Sequence, residues 1–336
     1  MMHFYKILFF LTMMLGTLMA ISSYSWLSMW MGLEINLLSI IPLLGDSKNL
    51  YPAESALKYF ITQSLASSIL LLAIILSLNL KEFFLETFQF LSIIMNSALL
   101  TKMGAAPFHT WFPEVMEGLN WMMGLLMLTW QKIAPMILIF YNYQMSQFLL
   151  IIILISTIVS GILGLNQISL RKILAYSSIN HISWMLASLL HSQMIWMIYF
   201  LIYSIITINL VIIFKIFHIF TLSQLFNSLN FSKSIKFSFL LNFFSLGGLP
   251  PFLGFFPKWL VINNLILNKF YFLSILLIVF TLITLYFYLR ISFSSLMINF
   301  HESFLFPSKK LNFKIFLINF VSLSGLLACS LIFNYF

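Results

Sequence analysis

The sequence predicts an all-α polytopic membrane protein of about 11 transmembrane helices, and three features of it lead there. Of its 336 residues, 62% are hydrophobic and 7% charged, which leaves too little polar surface for a fold dissolved in water. Apolar stretches of about 20 residues, the length that crosses a bilayer core about 30 Å thick, recur with short connectors along the whole chain. Two of these stretches are interrupted by Gly and Pro in nearly the same words.

The stretches lie at 4–21, 25–44, 56–79, 87–108, 121–141, 147–165, 170–190, 194–219, 236–263, 270–293 and 313–334. The first carries an early lysine like a signal peptide, but its apolar run reaches Ile21 without a small-residue cleavage site, so it is read as a span. With an odd number of spans, the N-terminus shares its side with Lys6, Lys48, Arg171, Lys172, Lys233, Lys236, Arg290, Lys309 and Lys310, against Lys81 and Lys269 opposite. The positive-inside rule then places the N-terminus in the cytoplasm-equivalent compartment, the matrix if the membrane is mitochondrial. Abundant Phe (38) and Met (19) beside scarce Gly (12) suit an AT-rich coding sequence such as a mitochondrial genome.

The net charge of +9 is spread singly between apolar segments, which argues for lipid and against nucleic acid as the partner. The single cysteine, Cys329, excludes an internal disulfide and a four-thiolate metal or iron-sulfur site within the chain. No grouping of His and carboxylates suggests a metal, and nothing pairs two histidines for a haem, so no cofactor is expected here.

The two interrupted stretches align closely. Gly104-Ala-Ala-Pro107-Phe108-His-Thr-Trp111-Phe112-Pro113-Glu114 stands over Gly248-Leu-Pro250-Pro251-Phe252-Leu-Gly-Phe255-Phe256-Pro257-Lys258, with five identities and one aromatic exchange in eleven positions. Proline kinks arising by chance would not repeat the glycine and aromatic spacing. The offset corresponds to five spans, and a unit with an odd number of spans repeated in tandem enters the membrane from opposite sides. The chain is therefore read as one membrane domain, 1–336, made of a first five-helix repeat (1–145), an inverted second repeat (146–295), and a loop with a C-terminal helix (296–336). Gly104, Pro107, Gly248, Pro250 and Pro251 are the helix breaks. Matching breaks in inverted halves point to an ion pathway.

Charged residues within spans are costly, roughly 2.5–3.5 kcal/mol at the centre by insertion scales. Glu34 sits mid-span and needs a partner, for which Lys102, two residues before Gly104, is the candidate. Lys132 lies mid-span near Pro135, and Lys258 follows the second break. Burial disfavours an ammonium ion and a nearby carboxylate favours it, so a Glu–Lys pair that opens and closes can load and release a proton. Lys215, His109 and His181 are candidates for further relay groups. Lys215, near a span end, also has the alternative of snorkelling, and the histidines that of hydrogen bonding across helices. His3, His191, His218 and His301 are near span ends and read as interfacial, and Glu114 and Glu117 as loop residues rimming a water entrance or simply solvated.

The stretches Leu99–Val115, Arg171–His181 and Gly247–Trp259 resemble the NADH-ubiquinone oxidoreductase chain 2 family across nearly the whole chain. That family is similar to cation/proton antiporters, and the resemblance implies an antiporter-like fold of inverted five-helix repeats. It also implies that Glu34 pairs with Lys102, that Lys132 is a bridging lysine, and that Lys258 exchanges protons with the far side or a neighbouring subunit. By the same resemblance the chain is a core proton-translocating subunit of the membrane arm of respiratory complex I, in the mitochondrial inner membrane beside other antiporter-like subunits. NADH, FMN, iron-sulfur clusters and ubiquinone would belong to other subunits. The general family pattern has fourteen helices, and three of them would be absent from this N-terminus, a truncation that animal mitochondrial members share. A stand-alone antiporter would share these features but exchange ions when purified alone, whereas a scaffold would tolerate neutral replacement of Lys102.

Overall fold

Helix is the only backbone state that satisfies its own hydrogen bonds within a short apolar segment, and the chain uses it almost throughout. The computed structural model describes residues 4–45, 49–79, 85–142, 146–229, 233–250, 252–297 and 320. Among them the only β pairing is an isolated bridge between Ser169 and Thr221. Each of the first ten expected stretches lies in a helix or an interrupted pair of helices. The eleventh, at 313–334, falls outside the described residues apart from Phe320, as do Pro251, His3 and His301. Among the described residues, seven helical segments are long and apolar enough to cross a membrane.

The chain divides into two compact units, Met1–Ile155 and Ser156–Phe336. In the first, α1 (Phe4–Ser22) and α2 (Trp26–Leu44) form a hairpin whose entry is capped by Ser25, which accepts from Ser28 N at 3.3 Å. The two backbones touch through small residues: a Cβ on Gly32 would lie 2.5 Å from Ala20 N, and one on Gly16 would lie 2.8 Å from Asn36 N. Gly32→Val therefore forces α1 off α2 at a cost of at least the roughly 1–3 kcal/mol of overpacking. The heat-denaturation midpoint of the detergent-solubilised protein should fall clearly, and an unchanged midpoint would contradict this close crossing.

Next come α3 (Leu50–Asn79), α4 (Leu85–Met103) and α5 (Trp111–Gly118). With 30 residues, α3 is about 45 Å long, more than a bilayer core requires. Its first turns carry an exposed ion cluster, with Lys58 Nζ 3.1 Å from Glu54 and 3.4 Å from Glu114 of α5. The expected span at 121–141 is split into α6 (Trp121–Leu128) and α7 (Trp130–Tyr141), an interruption the Gly/Pro pattern did not reveal. Pro135 supplies no N–H to the carbonyl four residues back and crowds it. At the junction Thr129 N bonds Leu125 O, and Lys132 N reaches only three residues back, to Thr129 O.

From α8 (Ser146–Gly164) the chain enters the second unit, with α9 (Leu170–Leu189), α10 (Gln193–Phe217), α11 (Leu222–Leu229), α12 (Lys233–Gly247), α13 (Phe255–Leu267) and α14 (Tyr271–Met297). Seventeen of the twenty residues of α9 are buried, including Ser177, Ser178, Asn180, His181 and Ser183. A helix surrounded by protein can carry such polar residues, which is why α9 is not among the seven strongly apolar segments. Serine hydroxyls here mostly bond a carbonyl one turn back in their own helix, as Ser178 does to Ala175 at 2.7 Å, so they need no outside partner.

Candidate functional site

The helices before the two breaks end in the same way. Gly104 N donates to the carbonyls of Leu100 and Thr101 while Ala105 N donates to Leu100; Gly248 N donates to Phe244 and Ser245 while Leu249 N donates to Phe244. Both glycines are left-handed, with φ of 75° and 77°, which a side chain would strain. Each break then re-enters a helix through a matching bond, Phe112 N to His109 O and Phe256 N to Leu253 O. The shared glycine and aromatic spacing has produced matching helix ends at the two glycines.

Ending a helix frees its last carbonyls, and in an apolar chain each needs a donor. In the first unit Trp111 Nε1 reaches Thr101 O at 3.1 Å, and Gln63 Nε2 from α3 reaches Lys102 O at 3.4 Å. In the second unit the donor is the lysine itself: Lys258 Nζ sits 2.8 Å from Gly247 O, with the Trp184 ring 5.8 Å away. Gly248 has a second reason to lack a side chain there, since a Cβ would come within 2.8 Å of Lys258 Cδ.

Lys102 is 7% exposed and lines a cavity with room for roughly one water molecule, together with Asn36, Tyr59, Gln63, Gln131 and Pro135. Glu34 on α2 acts on it electrostatically, but no ion pair within 4.0 Å joins them, and Glu34 Oε1 is buried without a hydrogen bond. The expected pair is thus open in this structure. Lys132, 1% exposed, follows the α6–α7 interruption, and its ammonium lies 5.4 Å from the Phe112 ring centre. Phe112 also packs on Gly104, where a Cβ would stand 3.0 Å from its own, so one ring touches both the first break and Lys132.

The other candidates fall into three environments. His109, 8% exposed, has Nδ1 3.3 Å from Pro107 O within the first break. His181 on α9 is buried, with Nδ1 2.9 Å from the Tyr199 hydroxyl and its ring 4.8 Å from that of Tyr203. Lys215 stands exposed in the last turn of α10 and joins neither buried group. Pro107 and Pro250 lie at exposed positions in the breaks. His218 is the left-handed C-cap of α10 and is exposed. In the α9–α10 connector, burial lowers the affinity of His191 for its proton.

Reading the sequence passed over the neutral polar residues that complete these sites: Asn36, Gln63 and Gln131 in the first unit, and Tyr199, Asn180 and Thr284 in the second. Asn36 and Gln131 exchange two side-chain hydrogen bonds of 3.0 Å, and Asn180 donates to Thr284 at 3.1 Å. A usable signal was present, because amides in the middle of apolar spans must find partners.

A family model described as NADH:quinone oxidoreductase/Mrp antiporter, TM, matches residues 23–284. Proteins named NADH-ubiquinone oxidoreductase chain 2 are 49% identical in Anopheles gambiae and 50% identical in Aedes aegypti, each alignment covering 97% of both chains. A chain in the structure of respiratory complex I from Thermus thermophilus superposes with a TM-score of 0.83 at 23% identity. That superposition covers 97% of this chain and 79% of the other, a likeness of fold.

Proposed function

Since the chain belongs to the NADH-ubiquinone oxidoreductase chain 2 family, within the wider NADH:quinone oxidoreductase/Mrp antiporter family, we propose that Glu34, Lys102, Lys132 and Lys258 are its proton relay. The chain is an antiporter-like membrane-arm subunit of respiratory complex I and translocates protons. The membrane is the mitochondrial inner membrane, with the N-terminus on the matrix side. Its neighbours are other membrane subunits of the complex, antiporter-like ones among them, and lipid. NADH oxidation and ubiquinone reduction, with FMN and iron-sulfur clusters, take place in other subunits, and this chain performs translocation without redox chemistry.

The observation that carries the relay is that three buried lysines each stand at a helix interruption. Lys102 precedes the Gly104 break, Lys132 follows the Thr129 junction, and Lys258 caps the carbonyl released by the Gly248 break. An interrupted helix brings free backbone groups to membrane depth, where they stabilise a charge that hydrocarbon would reject. The three ammonium groups have different surroundings: a polar cavity with a carboxylate nearby, an aromatic face, and a carbonyl. A proton moves along such a series when the surroundings change in turn, beginning with closure of Glu34 on Lys102. Lys258 is the exchange point with the far side or the adjoining subunit. The matching backbone of the two breaks supports inverted repeats at 1–145 and 146–295, followed by a loop and helix at 296–336.

The test is Lys132→Met in the assembled complex. NADH oxidation in uncoupled membranes should persist while protons moved per NADH fall, and a wild-type ratio would exclude Lys132 from the relay. A native gel separates this reading from a stand-alone antiporter: the chain should co-migrate with NADH dehydrogenase activity far above its own 39.1 kDa.

A further inference from the structure

Among the buried polar groups that the relay leaves unused, the amide pair Asn36–Gln131 bridges the two helices that carry relay residues. Asn36 lies two positions after Glu34 on α2, and Gln131 immediately precedes Lys132 on α7. Their side chains are 4% and 9% exposed, and each donates to the other at 3.0 Å. Both line the cavity beside Lys102, together with Gln63, 3% exposed.

The chemistry of these groups fixes what a water in that cavity can do. Lysine ammonium offers donors only, so a water beside Lys102 must turn its oxygen toward the lysine and its hydrogens toward acceptors. The acceptors around it are amide oxygens and the Tyr59 hydroxyl. Each amide of the pair has spent one N–H and one oxygen lone pair on its partner, which leaves one of each for water. Neither an amide nor a tyrosine hydroxyl takes up a net proton in the physiological range, so a proton handed from Lys102 to this water has no group to rest on while the pair is closed.

We propose that Asn36 and Gln131 form a latch that seals a one-water site beside Lys102, keeping the proton on Lys102 until α2 and α7 separate. Asn36 and Gln131 act as positioning residues: they hold the water's orientation and the gap between helices, and carry no proton. This inference rests on the relay reading above and assigns it a gate. Because Glu34 shares α2 with Asn36, a shift that moves Glu34 toward Lys102 also acts on the latch.

The test uses the assembled complex reconstituted in vesicles, with protons moved per NADH measured against a rising proton-motive force. Gln131→Asn keeps a neutral amide but shortens it by one carbon, which removes the reciprocal geometry. It should pump with the wild-type ratio at low opposing force and lose that ratio progressively as the force grows, because protons slip back past the open latch. The exchanged pair, Asn36→Gln with Gln131→Asn, restores the combined length and both hydrogen bonds and should recover the wild-type curve. A purely structural pair would lower the amount of complex without changing this dependence, and Gln131→Asn without slip in assembled complex overturns the latch. If Gln131→Asn does not assemble, Asn36→Ser, which breaks the pair from α2, is read in its place: slip supports the latch, and assembled complex without slip overturns it. Lys102→Met, run alongside, separates the two levels: full pumping there defeats the relay itself, whereas lost pumping there with no slip in Gln131→Asn defeats only the latch.

Discussion

Lys102→Met is expected to abolish coupled proton transport through this subunit while leaving the complex assembled. The side chain is 7% exposed in a cavity with Asn36, Gln63 and Gln131, so its ammonium is held away from bulk water. Methionine has nearly the same length and volume but no charge. Replacing a buried charge by an apolar group of its own shape removes the penalty of desolvation, and such exchanges are often neutral for stability. Gln63 still satisfies the Lys102 carbonyl, because that bond goes to the backbone. Glu34, which has no ion pair in this structure, loses the lysine that it acts on electrostatically. The measurement is proton uptake or release per NADH in vesicles, with quinone reduction under uncoupled conditions as the control for assembly. Normal pumping by an assembled variant would falsify the relay.

Gly254→Ala is expected to have the largest effect on assembly of any single methyl group considered. A Cβ at this position falls on the carbonyl oxygen of Ser245, a backbone atom with no rotamer to turn away. Relief requires α13 to move off the end of α12. That end carries the Gly247 carbonyl, and α13 carries Lys258, so the 2.8 Å bond between them goes with it. Ordinary overpacking of side chains costs about 1–3 kcal/mol, and a backbone collision exceeds it. Native gels should show little assembled complex, whereas Thr110→Ala, at the matching place in the first break, should assemble normally. Equal amounts of complex from both variants would mean that α12 and α13 are not this close.

That contrast shows where the sequence is silent. Gly254 and Thr110 occupy equivalent positions in the two aligned stretches, and the helices before the breaks end with the same backbone bonds. A glycine in one copy and a threonine in the other reads as drift until the neighbours are seen. The second break is tighter because Lys258 folds back onto the end of α12, past Gly248. In the first break the corresponding residue is Glu114, which turns outward to Lys58 at 3.4 Å. Two copies of one motif have thus been given opposite charges and opposite directions.

The interruption at Thr129 was hidden for a related reason. Hydropathy and length see 121–141 as one span, and Pro135 marks a kink without locating it. Where the helix opens depends on what accepts the freed groups, which is a property of neighbours. The same holds for the amides. Asn36 and Gln131 are 95 residues apart, and their reciprocal pairing has no periodicity to betray it.

By itself the sequence determined that this chain is a helical membrane protein, where the first ten of its apolar stretches lie, and that two of them break at Gly104 and Gly248. Those properties are local: apolar length and left-handed glycine are written in consecutive residues. Tertiary structure alone decided which groups each lysine meets, that Glu34 and Lys102 stand apart, and that a bonded amide pair lines the cavity beside Lys102. These depend on contacts between residues distant along the chain, and desolvated polar groups take whatever partner the packing of helices brings within reach.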